Sequence, residues 1–256
     1  MNKSHKLRKT YVLTLVKSMY VSEMKVYVGT SGWMYDWNVN GSLDWYIKYS
    51  GLNAVELNAS FYRFPYPNQV VSWSRKGAKL KWSIKVNRVI THIRRLNVKA
   101  LETWRKFQRI FKPMDSTVRF YLFQMPPTFV KNERNIERIK FFAKETGLKD
   151  RLAIEFRHKS WFNEETISEL RKLGLTIVSV DSPQTTWIAS SNEIIYLRMH
   201  GRIVWYAYDY SDKELNEIAR QIAEVNAKEV YVFFNNNHWM LDNARYMLKI
   251  LKEMFS

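Results

Sequence analysis

The sequence predicts an α/β protein in which eight parallel strands close into a single TIM-like (β/α)8 barrel. Short β-rich runs alternate with longer amphipathic segments along the 256 residues, a pattern typical of a parallel sheet. No glycine-rich phosphate-binding turn follows the first strand, so the alternative, an open doubly wound sheet, is less favoured. Polar residues also recur where strands end, which is the edge at which barrel proteins assemble their sites.

Each element can be assigned in chain order from these runs. The predicted strands are residues 26–30, 54–58, 81–86, 118–124, 152–157, 176–181, 194–200 and 229–235. Helical spacing of apolar residues is clearest at residues 135–148 and 213–226, and residues 244–255 form a last helix. Only residues 182–193 separate the sixth and seventh strands, so the sequence predicts a reduced connection there.

Residues 24–256 are predicted to form one barrel domain, because no repeat, low-complexity tract or linker divides them. Residues 1–23 are predicted to be a basic N-terminal extension, either disordered or an upstream start that precedes Met24. Lys17 interrupts the apolar run of this extension and no small-residue cleavage site follows, which argues against a secretory signal. We therefore expect a cytoplasmic protein that does not cross a membrane.

Composition narrows the chemistry. The chain has no cysteine, which excludes disulfides, zinc ribbons and thiol nucleophiles. The net charge is +17, and residues 75–112 carry thirteen basic residues against one acid, Glu102, which gives +12 in that window. Such a cluster attracts polyanions, so nucleic acid is a candidate partner through residues 75–112. A solvated helix face is the alternative.

Five predicted strands end in two polar residues that are separated by one apolar position. Side chains at i and i+2 share one face of a strand, and in a barrel that face is the lumen near its mouth. The arrangement predicts a pocket for a polar, anionic ligand, whereas the alternative is an internal ion-pair network. The pairs are Glu56 and Asn58, Lys85 and Asn87, Glu155 and Arg157, Ser179 and Asp181, and Arg198 and His200.

Paired carboxylates beside basic groups suit general acid–base chemistry. We therefore predict that the catalytic residues are Glu155, Glu56, His200 and Asp181. Glu155 is the preferred base or nucleophile, with Glu56 or His200 as its partner. The permanent cations are predicted to bind a phosphate or carboxylate and to stabilise developing charge, and they are Lys85, Arg157 and Arg198.

Cofactor use is open. The sequence contains no organic cofactor motif and no diagnostic ligand spacing, so we assign no metal-binding residues. A single divalent ion stays an alternative, and its oxygen and nitrogen ligands would be Glu56, Glu155, Asp181 and His200. Aromatic residues follow most strands, where they either stack on bases or sugar faces or pack beneath the loops.

Eight short motifs occur along the chain in the same order as in a known protein family: "VGTSGW", "VELNASFYRFP", "IKVNRVITH", "FQMPPTF", "EFRHKSW", "VSVDSP", "YLRMHG" and "VFFNNNHW". On these motifs the chain resembles domain-of-unknown-function family seventy-two, the YecE-like proteins, over about residues 25–256. The resemblance implies a TIM-like barrel and supplies no activity. Its recurrent positions imply further substrate-binding residues, which are Thr30, Trp33, Asn58, Tyr62, His92, Gln124, His158, Trp161, Asn235 and Asn236.

This chain departs from the usual pattern of the family at two places. Asn237 stands where members usually carry an acid after the paired asparagines, and "GSLDWY" (residues 41–46) replaces an aromatic-proline tract. A cation or proton that this acid binds in other members would lack that ligand here. The second change affects one wall of the expected pocket.

Three functions are consistent with these features. The leading hypothesis is a hydrolase-type enzyme that acts on a phosphate-bearing substrate, nucleic acid included, at the C-terminal rim of the barrel. The second is a non-catalytic nucleic-acid-binding protein, whose affinity would fall steeply with salt. The third is a carbohydrate-active barrel enzyme that uses Glu56 and Glu155 as its carboxylate pair. The sequence leaves the reaction, the substrate and the oligomeric state open.

Overall fold

A computed structural model describes residues 24–255, so the predicted extension of residues 1–23 lies outside the described chain. Its strands are β1 (Lys25–Ser31), β2 (Ala54–Leu57), β3 (Lys81–Lys85), β4 (Val118–Gln124), β5 (Leu152–Glu155), β6 (Thr176–Ser182), β7 (Thr185–Trp187), β8 (Ile194–Met199) and β9 (Glu229–Phe234). All of these except β7 form a closed ring of eight parallel strands, in which β9 pairs with β1 and β6 pairs with both β5 and β8. The predicted TIM-like barrel is confirmed.

Seven α-helices accompany the strands within residues 24–255. They are α1 (Leu43–Tyr49), α2 (Pro67–Lys76), α3 (Val98–Phe111), α4 (Glu133–Thr146), α5 (Glu164–Lys172), α6 (Asp212–Glu224) and α7 (Met240–Phe255). Short polar side chains begin several of them: Asn97, Asn132 and Asn163 each accept a hydrogen bond from the first turn of the helix that follows. Within the described chain, none of these helices has the length and apolar character needed to span a membrane.

The connection between β6 and β8 contains no helix. Residues 182–187 turn back on β6 instead, and β7 pairs with it in antiparallel register, with Val180 opposite Trp187 and Ser182 opposite Thr185. The reduced connection that the spacing predicts is therefore confirmed, and the hairpin strand within it is an addition. Ser179 holds the chain after β7 against β6, because its hydroxyl donates to the Ala189 carbonyl and accepts from the Ala189 amide.

The core has two layers. A large outer layer lies between the strands and the helices, and it contains the fully buried rings of Trp82, Trp104 and Phe107. A smaller inner layer fills the lower part of the lumen with residues that include Phe120 and Tyr231. Since the lower lumen is packed with apolar side chains, the charged residues of the strand ends lie together above it, at the mouth of the barrel.

Candidate functional site

Arg198, near the end of β8, lies at the centre of the mouth and joins two carboxylates. Its Nε and NH2 atoms donate to Glu56 at 3.0 and 2.6 Å, and its NH1 atom donates to Glu155 at 2.5 Å. All three side chains are fully buried. Burial lowers the pKa of Arg198, but the two carboxylates raise it by a larger amount. The net shift of the pKa is upward, and the guanidinium is permanently charged.

Glu56, on β2, is fully engaged by its neighbours. Besides the two bonds from Arg198, its Oε1 accepts from the Ser31 hydroxyl at 2.8 Å and its Oε2 accepts from the Tyr196 hydroxyl at 2.7 Å. Ser83 in turn bonds the Tyr196 hydroxyl at 2.6 Å. Four donor contacts leave the Glu56 carboxylate little capacity to accept a proton from a ligand.

Glu155, at the end of β5, is similarly engaged. Its Oε1 is 2.6 Å from Arg157 NH2 and 3.1 Å from His200 Nε2, while its Oε2 accepts from Arg198. Burial raises the pKa of Glu155, but the charges of Arg157 and Arg198 and the hydrogen bond of His200 outweigh it and hold the pKa well below its usual range. The carboxylate is therefore ionised and bonded on both oxygens.

His200, two residues beyond Arg198, is a neutral member of this network. Burial, followed by the charges of Arg157 and Arg198, lowers its pKa well below the usual value, although Glu155 opposes the shift. Asn235 Nδ2 lies 3.3 Å from His200 Nδ1. His200 Nε2 lies 3.1 Å from both Glu155 Oε1 and Arg157 Nη2, so both ring nitrogens have polar partners.

Lys85, at the end of β3, differs from the other charged residues of the mouth. Its side chain is 9% exposed, and its Nζ has no hydrogen-bond acceptor among residues 24–255. The Phe61 ring lies beneath Nζ at 4.5 Å. Burial and the charge of Arg198 lower the pKa of Lys85 to about 7, against the opposing effects of Glu155 and Glu56. The side chain is thus largely buried, and its amine forms no hydrogen bond within the described chain and is partly neutral near pH 7.

Two further groups flank Lys85. Asn58 lies one position beyond the registered pair Leu57 and Ile84, which brings it beside Lys85, and its Oδ1 is buried without a hydrogen-bond partner in the described chain. The His92 ring contacts Phe61 edge-on at 5.0 Å, and its Nδ1 bonds the Thr91 hydroxyl at 2.9 Å. Burial and the Lys85 charge lower the pKa of His92 to about 4, so it is neutral near pH 7.

The loop that follows β8 covers the other side of the mouth. The Trp205 ring lies 4.6 Å from the guanidinium carbon of Arg157 and 5.5 Å from the ring of His200. The buried Nε of Arg157 has no hydrogen-bond partner within residues 24–255. Across the mouth, Tyr35 bonds the Ser31 carbonyl at 3.2 Å, and burial together with Glu56 raises its pKa.

The structure thus brings together Glu56, Asn58, Lys85, Glu155, Arg157, Arg198, His200 and Asn235, all of which the sequence predicts, and it places His92 beside them. Gln124 ends β4 opposite Glu155 in register and is half-buried. Tyr62 is 70% exposed on the loop after β2. His158 lies just outside, where its Nδ1 accepts from the Ser160 amide at 3.2 Å and begins a short turn.

Asp181 does not join this cluster, and the prediction that its side chain shares the lumen is wrong. Val178 belongs to the inner layer, so by alternation along β6 Val180 faces inward and Asp181 faces outward. Asp181 accepts from the hydroxyls of Thr186 at 2.5 Å and Tyr210 at 2.6 Å, and Arg202 is 3.4 Å away. Its contacts fix the β6 hairpin and the loop before α6.

Four residues predicted to bind substrate make contacts with other parts of the protein. The Thr30 hydroxyl donates to the Gly32 carbonyl at 2.6 Å, and Trp33 packs edge-on against Trp73 and Trp82 in the outer core. Trp161 donates to the Phe129 carbonyl at 2.7 Å. Asn236 donates to Tyr208 and Asn243 at 2.8 and 2.7 Å. These side chains support the loops of the mouth from below.

The four residues considered as metal ligands are not assembled. Asp181 lies on the outer face of β6, and Arg198 binds the carboxylates of both Glu56 and Glu155. Within residues 24–255, no group of three or more His, Asp or Glu side chains has the geometry to hold a metal ion.

Sequence reasoning missed several residues that line or support the site. They are Ser31, Phe61, Ser83, Tyr196 and Trp205. Tyr196 could have been found, because it lies two positions before Arg198 and therefore on the same face of β8. Trp205 carries no such signal, since its position depends on how a long loop folds back over the strand ends.

The rim of the mouth is both apolar and basic. Exposed apolar side chains project from the loops after β1, β2, β3, β8 and β9, and they are Met34, Val39, Tyr62, Ile93, Ile203, Val204, Tyr206 and Trp239. Arg95, on the loop after β3, acts electrostatically on Arg138 together with Arg134, and burial and these two charges lower the pKa of Arg138. We refer to these three arginines, one on the loop after β3 and two in the first turns of α4, as the basic cluster.

The family described as "Protein of unknown function DUF72" matches residues 27–256. The chain belongs to the DUF72 family. A DUF72 family protein from Thermotoga maritima MSB8 is 28% identical and superposes with a TM-score of 0.72 over 90% of this chain and 98% of its own. Another from Enterococcus faecalis V583 is 22% identical, with a TM-score of 0.76 over 91% and 99% of the two chains.

A more distant likeness is to a barrel enzyme. D-Psicose 3-epimerase from Clostridium cellulolyticum H10, solved with D-tagatose, is 10% identical and superposes with a TM-score of 0.59 over 90% of this chain and 99% of its own. At this identity the likeness concerns the fold alone. No curated protein matches the chain.

The two departures from the usual DUF72 pattern have local structural roles. Asn237 adopts φ of 64°, a left-handed conformation that asparagine tolerates, at the start of the short turn before α7. In "GSLDWY", Ser42 caps α1 and the Tyr46 hydroxyl donates to the Ala54 carbonyl at 2.8 Å. The tract present in this chain thus anchors α1 to the first residue of β2.

Proposed function

We propose that this DUF72 protein is an enzyme of hydrolase type that acts on a phosphate-bearing substrate at the mouth of the barrel. In this proposal Lys85 exchanges a proton with the substrate and Arg157 binds its phosphate. One observation carries the proposal: the Lys85 side chain is largely buried at the mouth and its Nζ forms no hydrogen bond or ion pair within residues 24–255, while both carboxylates are engaged.

The role of base moves from Glu155 to Lys85 for a physical reason. Arg157, Arg198 and His200 all bond the Glu155 carboxylate, so protonating it would break favourable contacts. The Lys85 amine has a pKa of about 7 and no such contacts. A group whose pKa lies near the working pH exchanges protons most effectively.

Charge supports an anionic substrate. The network contains two carboxylates, Glu56 and Glu155, balanced by the permanent cations Arg157 and Arg198, and protonation of Lys85 adds a further positive charge. Arg198 is saturated by the carboxylates, whereas Arg157 keeps an unbonded buried Nε and Asn58 keeps an unbonded Oδ1. Arginine binds phosphate through paired N–H donors. Arg157 therefore suits the phosphate of a substrate that also carries a polar group able to donate to Asn58 Oδ1.

The test compares turnover of phosphate monoesters and diesters, labelled nucleic acids included, with and without divalent metal. Lys85→Met should abolish turnover, whereas Lys81→Met should not, because Lys81 lies on the same strand at its exposed opposite end. Calorimetry with inorganic phosphate should detect binding to wild type and weaker binding to Arg157→Met. Absence of both turnover and phosphate binding in wild type would overturn the proposal.

Non-catalytic nucleic-acid binding is a second candidate, and the rim favours it. Tyr62 is exposed on the loop after β2, one strand along from the loop that carries Arg95, and Tyr206 and Trp239 are exposed on loops across the mouth; exposed aromatic and basic side chains on one rim suit the stacking of bases on a single strand. Retention of single-stranded DNA or RNA without cleavage, with affinity that falls steeply with salt, would support this function over the first.

The carbohydrate alternative gains no support from the geometry. A glycosidase needs one carboxyl group free to donate a proton and a second free to attack or to activate water. Here one guanidinium, that of Arg198, bonds both Glu56 and Glu155. The space between the two carboxylates is therefore occupied by protein.

A further inference from the structure

We propose that Lys85 also acts as a nucleophile, forming an imine with an aldehyde or ketone carbonyl of the phosphate-bearing substrate. This inference rests on the proposed function, because it uses the same mouth and the same anion-binding side chain. It narrows the substrate to a phosphorylated carbonyl compound, either a small sugar-phosphate-like molecule or an abasic site in nucleic acid.

The position of the amine suits attack on a carbonyl. Lys85 Nζ is held above the Phe61 ring at 4.5 Å and has no hydrogen-bond acceptor among residues 24–255, so no protein bond must break before it reacts. Only 9% of the residue is exposed, which confines access to a ligand that enters the mouth. A lysine nucleophile is typically activated in this way, by desolvation or by a neighbouring cation.

Burial is the main cause that favours the neutral amine of Lys85, and the surrounding charges act in both directions. Arg198 from β8 and Arg157 from the end of β5 repel the ammonium form, and the neutral His92 comes from the loop after β3. Glu56 and Glu155 attract the ammonium form, but both are bonded to arginine. Because burial lowers the pKa to about 7, the neutral, nucleophilic form of the amine is populated near pH 7.

The reaction needs no oxidant, reductant or cofactor. The nitrogen lone pair of Lys85 adds to the carbonyl carbon, the carbonyl oxygen takes up a proton, and the nitrogen loses one. The carbinolamine hydroxyl then takes up a proton from solvent and leaves as water while the nitrogen lone pair forms the carbon–nitrogen double bond, and loss of the N–H proton to solvent gives the neutral imine. Once protonated, this imine accepts the electron pair of a bond beside the former carbonyl, so the same lysine would assist cleavage of that bond.

Hydride trapping tests the inference directly. Wild-type protein is incubated near pH 7 with glycolaldehyde phosphate and sodium cyanoborohydride, which reduces an imine to a stable secondary amine, and the alkylated lysines are mapped by peptide mass spectrometry. We expect Lys85 to be modified before the exposed Lys81. Glycolaldehyde without phosphate should modify Lys85 about ten-fold more slowly, because it lacks the charge-assisted contact with Arg157.

A second arm distinguishes the two sources of the carbonyl. A labelled duplex with one abasic site is treated with the same reductant, and a covalent complex that Lys85→Arg abolishes would identify nucleic acid as the substrate. A Lys85 adduct with glycolaldehyde phosphate alone would identify a small molecule. Lys85→Arg keeps the positive charge and cannot form the imine, so it is a milder control than Lys85→Met.

The outcomes separate this inference from the proposed function. Modification spread evenly over the surface lysines, with Lys85 unmodified, would overturn the nucleophile, and the anion site would stand if inorganic phosphate still binds. Lack of both the Lys85 adduct and phosphate binding would overturn both. Preferential Lys85 modification that inorganic phosphate slows would support both.

Discussion

At the scale of single residues, Glu155 and Lys85 have environments opposite to those expected from the sequence. Glu155 contacts Arg157, Arg198 and His200, whereas the Lys85 amine contacts the face of Phe61 and no hydrogen-bond acceptor within residues 24–255. The carboxylate therefore organises the cations of the mouth, and the amine is the group available to a ligand. Residue types alone could not decide this, because both arrangements use the same side chains.

Glu155→Gln should destabilise the fold as well as the site. The substitution removes a buried charge and leaves Arg157 and Arg198 partly uncompensated, a change that typically costs about 3–5 kcal/mol. Urea denaturation should therefore show a large loss in the free energy of unfolding. Glu165→Gln is the matched control, because Glu165 pairs with Lys131 at 2.6 Å with 75% of its side chain exposed, and its effect should be small. Equal stability of wild type and Glu155→Gln would contradict the network described.

Lys85→Met should change how stability depends on pH. Burial lowers the pKa of Lys85 from 10.5 to about 7, so between these values the unfolded chain holds a proton that the folded amine has lost. Wild-type stability should therefore gain a contribution as pH rises through this window, amounting to at most about 5 kcal/mol. Lys85→Met lacks this contribution, so it should be more stable than wild type at pH 6 and lose that advantage towards pH 10. A pH-independent difference in thermal unfolding would contradict the burial of a titrating amine.

The positions of most mouth residues could be predicted from the period of two along each strand. Glu56 and Asn58, Glu155 and Arg157, and Arg198 and His200 occupy the predicted face. The prediction for Asp181 is wrong because Val178 faces the lumen, so the residues of β6 that face inward are Val178 and Val180 rather than Ser179 and Asp181. Apolar residues occupy both faces of that strand, so the sequence alone could not choose between the two phases.

At the scale of elements, strand order and the missing helix between β6 and β8 follow from spacing alone. Eight apolar runs with helix-length connections favour a closed parallel sheet. Residues 182–193 are too few to contain a helix together with the loop at each of its ends. The antiparallel strand β7 could not be predicted, since its pairing depends on contacts between Ser182 and Thr185 in the turn. Loop folding, which places Trp205 over Arg157, is set by tertiary contacts for the same reason.

Gly29→Ala should disrupt the pairing of β1 with β2. A Cβ at this position would lie 2.2 Å from the Ala54 carbonyl oxygen, so the two strand backbones would have to separate. We expect a loss of about 3 kcal/mol or more in the free energy of unfolding, as for other overpacked cores. Gly147→Ala is the control: it has φ of +60° at the end of α4 and open space around it, so only backbone strain of about 1 kcal/mol is expected. Similar losses in the two variants would contradict the close strand approach.

At the scale of the whole molecule, the basic window of residues 75–112 is divided between the two ends of the barrel. Arg88, Arg94 and Arg95 lie on the loop after β3, at the mouth. Lys79 and Lys81 precede or begin β3, at the opposite end. Net charge alone could not reveal this division, because it depends on where the chain reverses. Only part of the window can therefore act with the mouth on one ligand.

Charge reversal at the mouth and at the opposite end of the barrel should distinguish nucleic-acid binding at the rim from attraction by the net positive charge. If nucleic acid binds at the rim, changing Arg95, Arg134 and Arg138 to Glu should remove retention of single-stranded DNA, because each phosphate contact contributes to a steep salt dependence. Changing Lys79, Lys81 and Lys112 to Glu alters the net charge equally and should preserve most of the affinity. Equal weakening in the two triple variants, measured by gel retardation across a salt series, would contradict binding at the rim.

The central claim, that the mouth holds a partly neutral lysine at position 85, can be measured without knowing the substrate. Lysine side chains labelled with carbon-13 at Cε can be followed by NMR from pH 5 to 11, and the Lys85 signal can be assigned by its loss in Lys85→Arg. The structure predicts a midpoint at about pH 7 for this signal. A midpoint near 10.5, the ordinary value for lysine, would mean that the amine is charged and solvated at neutral pH, and both the base and the nucleophile assigned to Lys85 would be contradicted.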